Sequence, residues 1–200
     1  TGADVAASVD GTGSASRQGD WSLEYSIGSI ETGVVFSESL QEGWAGLLAA
    51  VTFREGVNSY FGTQDTYLNQ DKSGDSYGND ASLTIDLDFS DGKRTQGLIR
   101  FDSIFGSGAG QIPFGSTITS ATLTVEVFDP SASSAQITLH RMLVNWSETS
   151  TWSSMGGGLT SGSQYVATAD STLGSPNSTG SKKFTGAGLT ATLQLWSAGT

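Results

Sequence analysis

The sequence predicts an all-β protein, an antiparallel β-sandwich preceded by a partial β segment. Large apolar side chains recur at alternate positions, as in Trp21, Leu23, Tyr25 and Ile27, in Leu83, Ile85, Leu87 and Phe89, and in Ala121, Leu123, Val125 and Val127. Alternation sends one set of side chains into a core and the other into solvent. These runs are short and separated by Gly, Ser and Asn, the punctuation of a sandwich or barrel. No segment carries a convincing helical stripe. Residues 40–50, with Trp44, Leu47 and Leu48, come nearest, and read as a turn leading into a buried strand.

In chain order, strands are expected over residues 21–27, 30–36, 46–53, 64–69, 82–89, 95–102, 117–128, 135–144, 163–168, 182–186 and 189–196. The sharpest turn signal is Asp91-Gly92. Both residue types tolerate the positive φ angles of a type I′ turn, so residues 83–89 and 95–102 are expected to form a hairpin. The glycine-rich stretches 106–110 and 156–158 read as loops. No repeat of fixed period is present. The character changes near Thr52: too few strands precede it to close a sandwich, and a fuller set follows. Residues 1–52 therefore read as the tail of a preceding β domain or an N-terminal extension, and residues 53–200 as the main module.

Composition excludes several function classes. Nine Lys and Arg face twenty Asp and Glu, a formal net charge of −11. A nucleic-acid backbone needs clustered cations, and no run here supplies them. The same balance disfavours an anionic membrane surface and favours bound cations. Cysteine is absent, which removes disulfides, thiolate metal sites and a Cys nucleophile. No apolar run is long enough to span a bilayer. The low charged fraction, 14%, with Ser, Thr, Gly, Asn and Gln supplying the polarity, fits a secreted or cell-surface protein. Both ends read as cut from something longer.

A family resemblance begins at residue 53. Phe53-Arg54-Glu55-Gly56-Val57 is followed by Gly62-Thr63-Gln64-Asp65-Thr66-Tyr67-Leu68, then by Tyr77-Gly78. Leu98-Ile99-Arg100-Phe101-Asp102 and Ile112-Pro113-Phe114-Gly115 lead into Ile118-Thr119-Ser120-Ala121-Thr122-Leu123. Trp146-Ser147-Glu148 with Thr151-Trp152, and Leu193-Gln194-Leu195-Trp196, complete the set. This ordered series resembles the DNRLRE domain family, which overlaps the family 96 carbohydrate-binding modules. The resemblance implies a jelly-roll-type sandwich with a binding or spacer role in a secreted polysaccharide-active or surface protein. Members usually carry one more strand after the Trp196 region. Its absence would leave an open sheet edge for a neighbouring domain or subunit.

Candidate sites follow from side-chain chemistry. Tyr67, Tyr77, Trp146 and Trp152 are possible stacking faces for sugar rings, with Arg100 as a polar clamp and Glu148 as a hydroxyl acceptor. The two tryptophans equally suit a core-capping role, which is favoured because Trp is mostly buried. Asp65, Asp71, Asp75 and Asp80 gather in and beside one loop. Converging carboxylates suit a structural calcium, but the spacing is not that of an EF-hand, so a solvated acidic loop is favoured. Residues 74–78 match G-x-S-x-G, but a strand-like run follows where the nucleophile elbow requires a helix. The single histidine, His140, reads as a sheet-face residue. Asn145 and Asn177 head glycosylation sequons. No pair of carboxylates is set apart for acid–base work.

The sequence therefore reads as a non-catalytic extracellular carbohydrate-binding or accessory module. The alternative is a structural building block of a surface stalk, adhesin or filament.

Overall fold

In the computed structural model, residues 5–9, 11–15, 19–30, 37–43, 50–87, 91–130 and 135–199 are described. Strands dominate their secondary structure and all their ladders are antiparallel, so the fold is all-β. The described strands pair as four two-stranded ladders, β1-β2, β3-β4, β5-β8 and β6-β7. The chain divides into two compact units, Thr1–Thr52 and Phe53–Thr200.

In the first unit, β1 (Val5–Ala7) pairs with β2 (Tyr25–Ile27), with Ala6 opposite Ser26. Only the last three residues of the expected strand 21–27 join a ladder. The Val9 amide donates to the Glu24 carboxylate at 2.9 Å. Where the sequence reads as a turn after residue 40, the chain makes a short helix, α1 (Glu38–Gly43). The Ser37 carbonyl starts it by accepting from the Leu40 and Gln41 amides at 3.0 and 2.9 Å. Residues 31–36 of the expected strand 30–36, and residues 44–49 with Trp44, Leu47 and Leu48, lie outside the described residues. Residues 50–53 carry no strand.

The second unit is built on β3 (Thr63–Asn69) and β4 (Thr95–Phe101), paired from Thr63 opposite Phe101 to Asn69 opposite Thr95. Antiparallel partners share a face. One face therefore carries Gln64, Thr66, Leu68, Gln96, Leu98 and Arg100, and the other Thr63, Asp65, Tyr67, Asn69, Gly97 and Ile99. The hairpin expected between 83–89 and 95–102 is corrected here: the described part of its first arm, residues 83–87, forms no ladder, and the strand paired with β4 is β3. Residues 82–87 form no strand and hold β4 through Thr95, whose amide donates to the Asp86 carbonyl at 2.8 Å. The Asp86 amide donates in turn to Thr95 Oγ1 at 2.8 Å. Residues 88–90 lie outside the described residues. The turn itself has the expected geometry, with φ of 49° at Asp91 and 76° at Gly92.

β5 (Thr122–Val127) pairs with β8 (Gly180–Thr185), placing Leu123 opposite Phe184. Burial along β5 alternates residue by residue, as the sequence pattern requires. β6 (Ile137–Leu139) pairs with β7 (Ser171–Leu173). Two expected strands are corrected. Residues 163–168 belong to a turn region, in which the Gly162 amide donates to the Tyr165 carbonyl at 2.8 Å and the Gln164 amide to the Thr160 carbonyl at 3.0 Å. Residues 189–196 form helix α2 (Ala187–Ser197). No strand ends at Trp196, so the open edge expected there does not arise from this segment. Leu189, Thr192 and Ser197 are the buried residues of α2. Thr192 Oγ1 donates to Asp170 at 2.9 Å, and Ser197 Oγ to the Ser116 carbonyl at 2.8 Å.

The core of the second unit is Leu68, Leu98, Trp146, Trp152 and Met155, with Met142 and Leu159 packed against it. The glycines at 156–158, which read only as a loop in sequence, cap Trp152. All three have positive φ. The Gly157 and Gly158 amides both donate to the Trp152 carbonyl, at 3.0 and 3.1 Å. A Cβ on Gly158 would lie 2.6 Å from the indole, so only glycine lets the backbone pass this close.

Candidate functional site

The six residues proposed for carbohydrate and the four proposed for calcium separate onto the two faces of the β3-β4 ribbon. Arg100, Trp146 and Trp152 fall on the core side. Trp146 and Trp152 are buried, at 7% and 9% exposure, and offer no open stacking face. The Arg100 guanidinium lies over the Trp146 ring, 5.1 Å from its centroid. It donates to the Trp146 carbonyl at 2.9 Å, to Asn145 Oδ1 at 3.3 Å and to Gln64 Oε1. Its Nε sits 2.8 Å from Asp102 Oδ1. That Nε is sealed from solvent and lacks an aligned acceptor, so the contact is an ion pair rather than a hydrogen bond. Arg100 is thus committed to holding the Asn145–Trp146 segment against the ribbon.

Asp65 and Tyr67 stand on the opposite face, and the loop over residues 70–81 brings Tyr77 over them. The Tyr67 and Tyr77 rings are stacked, with centroids 4.2 Å apart and planes 19° from parallel. Tyr67 is buried and Tyr77 is partly exposed. Tyr67 Oη donates to Asp80 Oδ2 at 3.0 Å, and Asn69 Nδ2 donates to Tyr77 Oη at 3.4 Å. Asn69, itself buried, also opens the loop: its Oδ1 accepts from the Asp71 and Lys72 amides at 2.9 and 3.2 Å. This is the local Asx turn by which Asn ends a strand.

The loop is fastened to the segment that bears Glu148. The Ser153 amide donates to the Ser73 carbonyl at 2.8 Å. Gly78 approaches so closely that an added Cβ would lie 2.4 Å from Glu148 Cβ and 2.5 Å from its carbonyl oxygen. Glu148 is held in turn by the Ser147–Ser150 turn, in which the Ser147 amide donates to Ser150 Oγ at 3.0 Å. The structure therefore brings Tyr67, Tyr77, Asp80 and Asn69 together, with the Glu148 backbone against Gly78.

Electrostatics in this group oppose ionisation. Burial raises the Asp65 carboxyl above its ordinary value, and the nearby Glu148 charge raises it further. Burial raises the Tyr67 phenol, with Asp80 adding to the rise. Burial also raises Tyr77, followed by Asp75 and, more weakly, Asp80 and Asp71. Both tyrosines are therefore neutral hydroxyl groups at ordinary pH.

The four aspartates do not fit a calcium site. Among the described residues, no three His, Cys, Asp or Glu side chains are grouped to hold a metal ion. Asp71 and Asp75 are exposed in the loop, and Asp80 is engaged by Tyr67. Ca²⁺ needs six or more oxygens around one point. His140 is likewise structural: its Nδ1 lies 2.8 Å from the Val166 carbonyl and its ring packs edge-on to Tyr165, with centroids 4.8 Å apart. Ser76 is exposed in a loop of turns.

Sequence reasoning missed Asn69, and met Gly78 only as part of the Tyr77-Gly78 motif. The Asn at the end of a strand before an acidic loop was the available signal for the first. The second gives no local signal, because what makes Gly78 special is a contact across 70 residues. Phe61, Phe114 and Trp196 are further exposed aromatics.

The fold is a β-rich module in which the Tyr67–Tyr77 stack is bordered by Asp80. The comparisons agree with that class. Residues 58–171 match the model of carbohydrate-binding module family 96, and the chain belongs to this family. Residues 1–48 match a domain of unknown function, DUF4347. No curated protein and no solved structure matches the chain. No helix among the described residues is long and apolar enough to cross a membrane.

Proposed function

We propose that the chain is a non-catalytic carbohydrate-binding module of an extracellular protein, and that it binds polysaccharide on the face carrying Tyr67 and Tyr77. The observation that carries this reading, beside the family match, is the Tyr77 ring held parallel to Tyr67, with Asp80 on the Tyr67 phenol and Asn69 on the Tyr77 phenol. A sugar presents an apolar ring face and a rim of hydroxyl groups. The aromatic plane takes the first, and ionised carboxylates, which only accept hydrogen bonds, take the second. The pair is pre-ordered: Asn69 and Asp80 fix the two phenols, so little side-chain entropy remains to be lost on binding.

The test is retention on a panel of insoluble and soluble polysaccharides, with Tyr77→Ala beside the parent chain. Tyr77→Ala should lose retention while the circular dichroism spectrum stays unchanged. Full retention by a folded Tyr77→Ala would refute this site. Sugar release from any polymer on the panel would refute the non-catalytic assignment.

A further inference from the structure

Independently of the carbohydrate reading, we propose that an uncharged aromatic surface at the C-terminal end of α2 is the contact for a second copy of the chain. Residues 103–125 and 184–200 contain no Asp, Glu, Lys or Arg, so the nine cations and twenty acids of the chain all lie elsewhere. Hydrogen bonds fasten the two segments together. The Gly115 amide donates to the Ser197 carbonyl at 2.8 Å, and the Ile118 amide to Gln194 Oε1 at 2.8 Å. The first of these bonds joins the residue after Phe114 to the residue after Trp196. Phe114 is 61% exposed, Leu195 42% and Trp196 40%. Exposed apolar side chains gathered in this way mark an interaction face.

The surface is ordered before any partner arrives. Phe114 stacks on Phe105, with centroids 6.3 Å apart and planes 26° from parallel. Gln111 ties the loop between them: its Oε1 accepts from the Gly108 amide at 2.8 Å and its Nε2 donates to the Ser103 carbonyl at 2.7 Å. Gln194 Nε2 donates to the Ser116 carbonyl at 3.1 Å, and Ser116 Oγ to the Pro113 carbonyl at 2.7 Å. These side chains can therefore be covered without stranding a polar group, as the core of a protein contact requires. A sugar chain would need the same groups free for its hydroxyls.

Charge decides the partner. An acidic chain selects a different protein through complementary cations, which steer the encounter and set the register. A face without charge forgoes that selection. For a second copy it is the favoured face, because two chains at −11 repel wherever their charged surfaces approach, and least where neither carries a charge. A two-fold contact sets one patch against itself. Aromatic and leucine side chains pack against their own kind in that arrangement, and carboxylates do not.

The experiment is sedimentation velocity of the full chain, loaded from about 1 μM to about 500 μM, a span that covers weak and moderate association. A monomer–dimer equilibrium is expected. Raising NaCl from about 0.05 to about 0.5 M should tighten the dimer, because screening removes the residual repulsion between two acidic copies. Phe114→Glu and Leu195→Glu, both at exposed positions, should each weaken it at least about tenfold, the scale of losing an interface anchor. Phe128→Glu should leave it unchanged: Phe128 is 67% exposed but stands between Glu126 and Asp129.

A chain that stays monomeric across the range would overturn the proposal. So would a dimer that salt weakens, or one indifferent to both Phe114→Glu and Leu195→Glu. A monomeric parent whose folded Phe114→Ala variant loses polysaccharide retention would overturn it as well, and would make this face a sugar platform.

Discussion

Arg100 separates a structural from a ligand-contacting role most sharply. Replacing it by Met keeps an apolar stem beside Trp146 and deletes the guanidinium. The bond to the Trp146 carbonyl, 2.9 Å long and partly buried, disappears, and the unsatisfied acceptor costs about 1–3 kcal/mol. The contact with the Trp146 ring adds roughly 0.5–1 kcal/mol. The Asp102 pair, with side chains 32% and 41% exposed, adds at most about 1 kcal/mol because water screens it. The expected loss is about 3 kcal/mol, which for a unit of this size lowers Tm by roughly 6–12 °C. Urea unfolding followed by tryptophan fluorescence measures it, since Trp146 and Trp152 are in the core of that unit. Polysaccharide retention, measured below the transition, should persist. A variant as stable as the parent but unable to bind would refute this reasoning and make Arg100 a ligand contact. Arg100→Lys should recover little of the loss, because an ammonium cannot reproduce the planar fork.

Other outcomes follow from the same geometry. Leu68→Ala removes a fully buried side chain at the centre of the core and should lower the unfolding free energy by about 3 kcal/mol in a urea titration. Gly78→Ala forces the 70–81 loop and the Glu148 backbone apart. It should cost about 1–3 kcal/mol and weaken polysaccharide retention while far-ultraviolet dichroism is preserved. Asp65→Asn tests the burial of a charge. The folded Asp65 carboxyl holds its proton above the ordinary value of 3.8, so between the two values the folded state binds more protons than the unfolded one. Stability therefore falls as pH rises through that window, and the loss persists above it. Asn removes the loss, so the variant should be more stable than the parent at neutral pH and equal to it below about pH 3.8. Denaturant titrations at the two pH values check the sign.

Local pattern determined much of this molecule. Alternation is legible in β5, where apolar and polar positions take opposite environments, and strands near 64–69, 95–102 and 182–186 were readable for the same reason. Asp91-Gly92 announced a turn with positive φ because few other residues adopt it. The acidic, cysteine-free composition limited the partners, and the ordered Tyr, Arg and Trp motifs pointed to a carbohydrate-binding family. Tertiary structure decided what a pattern of period two leaves open. Leu189, Leu193 and Leu195 alternate like a strand, yet Leu189, Thr192 and Ser197 form the buried side of α2. Ala, Leu and Gln are good helix formers, and the segment docks through Thr192 to Asp170 and Ser197 to Ser116. The pairing of β4 with β3 rather than with its sequence neighbour was decided by long-range register. The separation of Arg100, Trp146 and Trp152 from Asp65, Tyr67, Tyr77 and Glu148 was settled in the same way. An aromatic or charged residue type states what it can contact, and only the fold determines which side of a ribbon it occupies and whether water reaches it.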